Sequence, residues 1–202
     1  GGPAGTGKSY IISHLRKIVP QCVVTATTGI AAQNIRGRTL HSFAGIHPVS
    51  GVYQSGKVDA RVRRANLLIV DEVSMASAQL LGQLWTRFEM AGNEPKTLFV
   101  GDFLQLPPVE GDFAFKFSSW NEFQTLRLTT IHRQHDQEFI CALNDLRTGQ
   151  QTERVAQLLK DRAVPALPED CTQLYAYRED VSWINEERLE KLPGRPSVAA
   201  CD

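Results

Sequence analysis

"GPAGTGKS", residues 2–9, decides how the rest of the chain is read. It fits G-x-x-x-x-G-K-[ST], a loop that holds phosphate between a strand and a helix. Gly2, Gly5 and Gly7 allow the backbone turns and close approach that a Cβ obstructs. With Thr6 between them, the successive N–H groups form an anion nest, and the helix beginning near Lys8 adds its positive dipole end. Lys8 can reach the β- and γ-phosphates of a nucleotide, and the Ser9 hydroxyl suits Mg²⁺. A flexible glycine turn capping a helix is the plainer alternative. It explains neither the four fixed positions nor the apolar helix that follows directly.

The 202 residues suffice for one domain and a buried core. An apolar content of 42% and a charged content of 22% are ordinary for a globular protein. No apolar run is long enough for a membrane span and no signal peptide is visible, so an intracellular protein without a membrane partner is expected. Cys22, Cys141, Cys171 and Cys201 are widely spaced, as expected of reduced, structural thiols, and no zinc site is indicated. The formal net charge of zero hides an asymmetry. Residues 1–64 carry nine Lys/Arg against the single acid Asp59, and residues 65–202 carry thirteen against twenty-one acids. A basic third beside a phosphate loop serves the nucleotide, a polynucleotide, or merely a solvated surface.

Apolar runs alternate with helical patterns, which predicts an α/β fold with a largely parallel sheet. Helix is expected from Lys8 to about Val19, strand over Cys22–Ala26 and a short helix around Ile30–Ile35. Residues 46–58 read as a surface loop. "NLLIVDE" (66–72), "KTLFVGD" (96–102) and "TLRLTT" (125–130) read as three buried strands. Ser77 is expected to cap a helix carrying Leu80, Leu81, Leu84, Trp85 and Phe88, and Gly149 to stop the helix of "FICALNDLR". After Pro165 and Pro168, "TQLYAY" (172–177) and "VSWINEERLEKL" (181–192) predict one more strand and helix, ended by Leu192, Pro193 and Gly194. The expected division is therefore 1–164, the ATPase domain, and 165–202, a closing segment.

Asp71 and Glu72 fall at the carboxyl end of a buried strand, where open α/β sheets bind ligands. Asp71 suits the Mg²⁺ side of a bound nucleotide, and Glu72 suits the orientation and deprotonation of a water. Asp102 and Gln105, after the next strand, can lie beside the same phosphates. The Gln105 amide can bond both a water and a γ-phosphate oxygen, although a proline-terminated loop with an incidental amide fits the letters equally well. Arg133, just before a helix, can meet charge on a transferring phosphoryl group or be an ordinary helix-start arginine. Spacing alone does not choose.

Taken in order, "GPAGTGKS", "TATTGIAAQNIRGRTLHSFAGI", "LLIVDEVSM", "VGDFLQLPPV" and "RQHDQEFICALNDLRTG" resemble the Pif-type (petite integration frequency) DNA helicases, superfamily one enzymes related to RecD. The resemblance runs from Gly1 to about Gly194 and implies a P-loop NTPase with a RecA-like, mostly parallel sheet flanked by helices. It implies ATP and Mg²⁺ as ligands, with Lys8, Ser9 and Asp71 at phosphate and metal. Glu72 would be the catalytic base, Gln105 the γ-phosphate sensor and Arg133 the arginine finger. Thr27, Thr28, Gly29 and Ile30, with His41 and Phe43, fall in the stretch that lines single-stranded DNA in that family. Hydroxyls and N–H groups there grip phosphates, and His41 or Phe43 suits base stacking, a buried turn with a core phenylalanine being the alternative.

The implied activity is ATP-driven translocation on single-stranded DNA and 5′-to-3′ unwinding of forked duplex, in a nuclear, mitochondrial or cytoplasmic setting. A P-loop switch acting on protein, or a non-catalytic mobile-element remnant, are the competing classes. The sequence departs from the family in three ways. "MAGNEPKTLFVGD" lacks the P-F-G-G-I-Q-like run, His132 replaces an aromatic, and no adenine-reading glutamine or P-loop strand precedes Gly1. The resemblance therefore predicts a first RecA-like domain trimmed at both ends, marginally stable and inactive alone, whose second RecA-like domain lies in the parent chain.

Overall fold

The computed structural model describes residues 1–54, 57–166, 168 and 171–193. They fall into two compact units, 1–159 and 160–202. The first is built on four parallel strands in the order β2-β1-β3-β4. Helix α1 (Lys8–Ile18) leads into β1 (Cys22–Ala26), α2 (Gly29–Asn34), β2 (Arg38–Thr39), α3 (Leu40–Ala44) and α4 (Lys57–Arg64). Strand β3 (Leu67–Asp71), α5 (Ala78–Ala91), β4 (Lys96–Phe99), α6 (Gln137–Arg147) and α7 (Glu153–Arg162) follow. Helix α8 (Arg178–Glu190) lies in the second unit.

Local chemistry sets these boundaries. Arg16 and Lys17 sit in the last turn of α1, where cations meet the negative end of the helix dipole. The Thr28, Thr39 and Ser77 hydroxyls accept the N–H groups of Ala31, Ser42 and Leu80, capping α2, α3 and α5. The Asp136 carboxylate caps α6 by accepting from Glu138 and Phe139. Gly92 ends α5 in the left-handed region, a conformation glycine adopts without strain.

Side-chain parity along β3 builds the core on both sheet faces. Leu68 and Val70 belong to a large cluster with Leu81, Leu84 and Phe88 of α5, whereas Ile69 joins Val24 and Ile12 of α1 on the other face. Burial on both faces explains why the strand is continuously apolar. Trp85 lies within ring-contact distance of Phe88, Phe99, Phe117 and Phe123, extending the larger cluster toward the segment after β4.

Three expectations are corrected. Residues 125–130 form no strand. Their backbone is bonded to the chain start, where Leu128 N donates to Gly1 O and the Gly1 amino group to Leu126 O. Gly2 N in turn donates to Gly101 O, so residues 1 and 2 lie between this segment and the end of β4, and two bonds make no ladder. Residues 172–177 are likewise not strand, and Leu174 is 94% exposed. The 46–58 loop is interrupted. An antiparallel bridge joins Ile46 to Tyr53, and α4 starts at Lys57, anchored by the fully buried Val62. Gly194, read as part of the final stop, lies outside the described residues.

Candidate functional site

Because the strands are parallel, their carboxyl ends share one edge of the sheet. Register places Ala26 opposite Asp71 and Val70 opposite Phe99, so the residues that follow β1, β3 and β4 emerge side by side. A cleft of about 430 Å³ opens there. It is lined by the loop from Ala4 to Tyr10 together with Glu72, Gln105, His132 and Arg133. The structure thus brings Gly5, Gly7, Lys8, Ser9, Glu72, Gln105 and Arg133 together.

The loop is shaped for an anion. Gly7 caps α1 with φ 88° and supplies no side-chain acceptor, so the first N–H groups of the helix remain open to a ligand. Gly5, at φ 77°, admits the Arg133 segment. A Cβ on Gly5 would stand 2.7 Å from the Arg133 Cβ, and His132 N donates to Gly5 O at 2.8 Å. Lys8 Nζ donates to the carbonyls of Gly2 and Pro3, both at 2.8 Å, which holds the ammonium inside its own loop. Thr6 is 4% exposed and its hydroxyl donates to Pro3 O, so its side chain braces the loop and only its backbone is left for phosphate.

The acidic pair sits within the field of Lys8. Burial raises the Asp71 pKa, opposed by the Glu72 N–H and by Lys8. Burial also raises Glu72, helped by the negative charges of Asp71 and Asp102 and opposed by Lys8. Glu72 takes a left-handed backbone, φ 52° and ψ 43°, rare for a side chain with a Cβ and often found at functional positions. The Ser9 hydroxyl and Glu72 carboxylate line the cleft, and Asp71, 6% exposed, directly precedes Glu72 at the end of β3; all three are hard oxygen donors of the kind Mg²⁺ takes. Ser9 and Asp71 would hold that ion, which would supply charge neutralisation at the phosphates.

The stretch expected to face DNA divides. Ile30 is 75% exposed, Gly29 is exposed, and Thr27 and His41 are half-buried. Burial lowers the His41 pKa. The Thr28 hydroxyl is engaged in capping α2, leaving its backbone for a ligand. The Thr27 hydroxyl donates to Glu72 O at 3.3 Å. Phe43 is a correction: fully buried in the larger core cluster, it cannot stack on a base. The short helix α3 turns Leu40, Phe43 and Ala44 inward together, and the plainer reading of that phenylalanine prevails.

Sequence reading missed Tyr10 at the cleft and Arg147 behind it. Arg147, at the end of α6, makes a two-pronged ion pair with Asp102. Forty-five residues separate the two, so no local spacing signals the contact.

A family model described as AAA domain matches residues 1–168. The chain is 36% identical to the ATP-dependent DNA helicase PIF1 of Rattus norvegicus over 96% of its own length and 34% of that protein's. The crystal structure of Pif1 helicase from Candida albicans matches with a TM-score of 0.80 and 38% identity, over 96% of this chain and 50% of that one. That of Pif1 helicase from Bacteroides in complex with ADP-AlF3 and ssDNA matches with 0.81 and 29%, over 96% and 53%. The chain therefore spans about a third of the curated relatives it matches. With the phosphate loop and the parallel sheet in place, the chain belongs to this AAA-domain family and is similar to the part of the Pif1 helicases that holds the first RecA-like domain.

Proposed function

We propose that the whole protein carrying this chain is an ATP-driven motor that moves along single-stranded DNA and unwinds forked duplex, 5′ to 3′. Such a motor serves genome maintenance, repair, recombination or telomere upkeep in an intracellular compartment. The observation that carries this reading is the convergence of Lys8, Glu72, Gln105 and Arg133 on one cleft at the carboxyl edge of the sheet.

The N–H groups of the loop and Lys8 bind the triphosphate, Lys8 exchanging its two carbonyl acceptors for phosphate oxygens. Ser9 and Asp71 would hold Mg²⁺, which would neutralise charge at the phosphates. Glu72 accepts the proton of the attacking water, Gln105 orients that water or a γ-phosphate oxygen, and Arg133 balances charge on the phosphoryl group. Thr27, Thr28, Gly29, Ile30 and His41 track the DNA backbone, supported by the position of the first four just past β1 and of His41 just past the neighbouring β2, and by the ssDNA named in the Bacteroides complex. Residues 1–164 act as the ATPase half, and 165–202 lead toward a second RecA-like domain of the same parent chain that closes on the nucleotide. Without that partner the 202 residues bind nucleotide weakly and do not unwind DNA.

The test is E72Q in the full-length protein. DNA-stimulated hydrolysis should fall by about 10²-fold or more, while fluorescent ATP analogues bind within about two-fold of wild type. Hydrolysis indifferent to single-stranded DNA in the wild type points instead to an ATPase that acts on protein.

A further inference from the structure

We infer that Arg147 is a positioning residue for ATP hydrolysis: its guanidinium fixes Asp102, and Asp102 fixes which end of the Gln105 amide faces the nucleotide cleft. The inference rests on the motor reading of that cleft.

Arg147 Nε and Nη2 donate to Asp102 Oδ2 and Oδ1 at 2.8 and 2.6 Å, a fork that matches the planar carboxylate. Asp102 is 4% exposed, so water does little to stabilise its charge. Burial pushes its pKa up, but the Arg147 fork, the Leu104 N–H and the Gln105 amide outweigh that and hold it below the ordinary carboxylate range. An ionised carboxylate only accepts hydrogen bonds. The amide end beside Asp102 Oδ2, at 3.3 Å, is therefore the Gln105 nitrogen, and because Gln105 is exposed and lines the cleft, its carbonyl Oε1 is left for the cleft. That oxygen can accept a hydrogen of the attacking water, and the second Nε2 hydrogen remains for a γ-phosphate oxygen. Without Arg147, Asp102 is a buried acid next to the negative field of Glu72. Once protonated it donates as well as accepts, and the amide orientation is no longer set.

The geometry also ties two parts of the cleft to one helix. Asp136 caps α6 three residues after Arg133, and Arg147 closes the other end on Asp102. Helix α6 thus spans the finger on one side and the Gln105 loop on the other.

The experiment uses the full-length protein, with R147Q, Q105A and the double variant, and measures single-strand-stimulated kcat and KM for ATP. R147Q should lower kcat about ten-fold with KM within about two-fold, and the double variant should be no slower than Q105A alone. R147K, which keeps the charge and loses the fork, should recover part of kcat. If R147Q does not fold, R147K takes its place in the cycle. Losses that multiply, or an unchanged kcat, overturn the inference. A readout independent of hydrolysis separates its failure from that of the motor reading: the Gln105 side-chain amide resonance, identified by its disappearance in Q105A, should move in the Arg147 variant. An unmoved resonance sinks the positioning role, whereas E72Q with full activity sinks the motor.

Discussion

Replacing Phe43 by leucine separates a core role from a DNA role for one side chain. Phe43 is fully buried, and its cluster includes Leu40, Val62, Val70 and Phe88. Truncating a buried phenylalanine to alanine costs about 3–5 kcal/mol, and leucine, which refills most of the volume, costs on the order of 1–2 kcal/mol. For a domain of this size each kcal/mol lowers Tm by about 2–4 °C, so F43L should melt roughly 2–8 °C below wild type. Stacking on a base is worth about 1–3 kcal/mol, and its loss would weaken binding roughly 5–150-fold. In the full-length protein, F43L should therefore bind fluorescent oligo-dT within about two-fold of wild type, measured by anisotropy below the melting range. An affinity loss of ten-fold or more without a drop in Tm would refute the core assignment.

S77A removes the hydroxyl that accepts Leu80 N at the start of α5, and should cost about 0.5–2 kcal/mol in a denaturant titration with no change in nucleotide affinity. D71N should abolish Mg²⁺-dependent nucleotide binding by calorimetry yet raise the Tm of the unliganded protein by about 2–4 °C, since burial already disfavours the Asp71 charge. The pH profile of hydrolysis carries its own sign. Glu72 must be ionised to accept a proton and its pKa is raised, chiefly by burial and then by Asp71, so kcat should fall on acidification at a pH above the ordinary glutamate range. A profile that stays flat down to that range would remove Glu72 as the base. Asp102 is shifted the other way, its pKa lowered, and its effect is on stability. Its contribution is present above the unfolded aspartate value and lost as pH falls through the lower folded value, which a series of melts in acid would read.

Legibility in the sequence followed the range of the forces involved. Strand β1, the Ser77 cap and the span of α6 were readable because caps and apolar runs act within a few residues. The meeting of the phosphate loop and Glu72 at one cleft was readable for a related reason, since each is a compact set of residue types at the end of one element. "TLRLTT" looks like a strand because its residues suit one, but a strand exists only beside a partner, and among the described residues this segment's backbone bonds to Gly1 make no ladder. Phe43 misled because the same aromatic face serves a base or a core, and only the direction of α3 chooses. Helix α4 was hidden by a basic, low-apolar run whose deep anchor among the described side chains is Val62. Arg147 could not be found at all, because its meaning depends on a carboxylate brought to it by the fold.

The in-step register of β1 and β3 has a consequence for how this protein tolerates change. The residues that each strand brings to the cleft edge lie at or just past its last paired position, while Val24, Leu68 and Ile69 beneath are packed in the core. Reactivity and solidity are thereby assigned to separate storeys of one framework. The upper storey can be refitted for a new ligand without disturbing the floor that supports it.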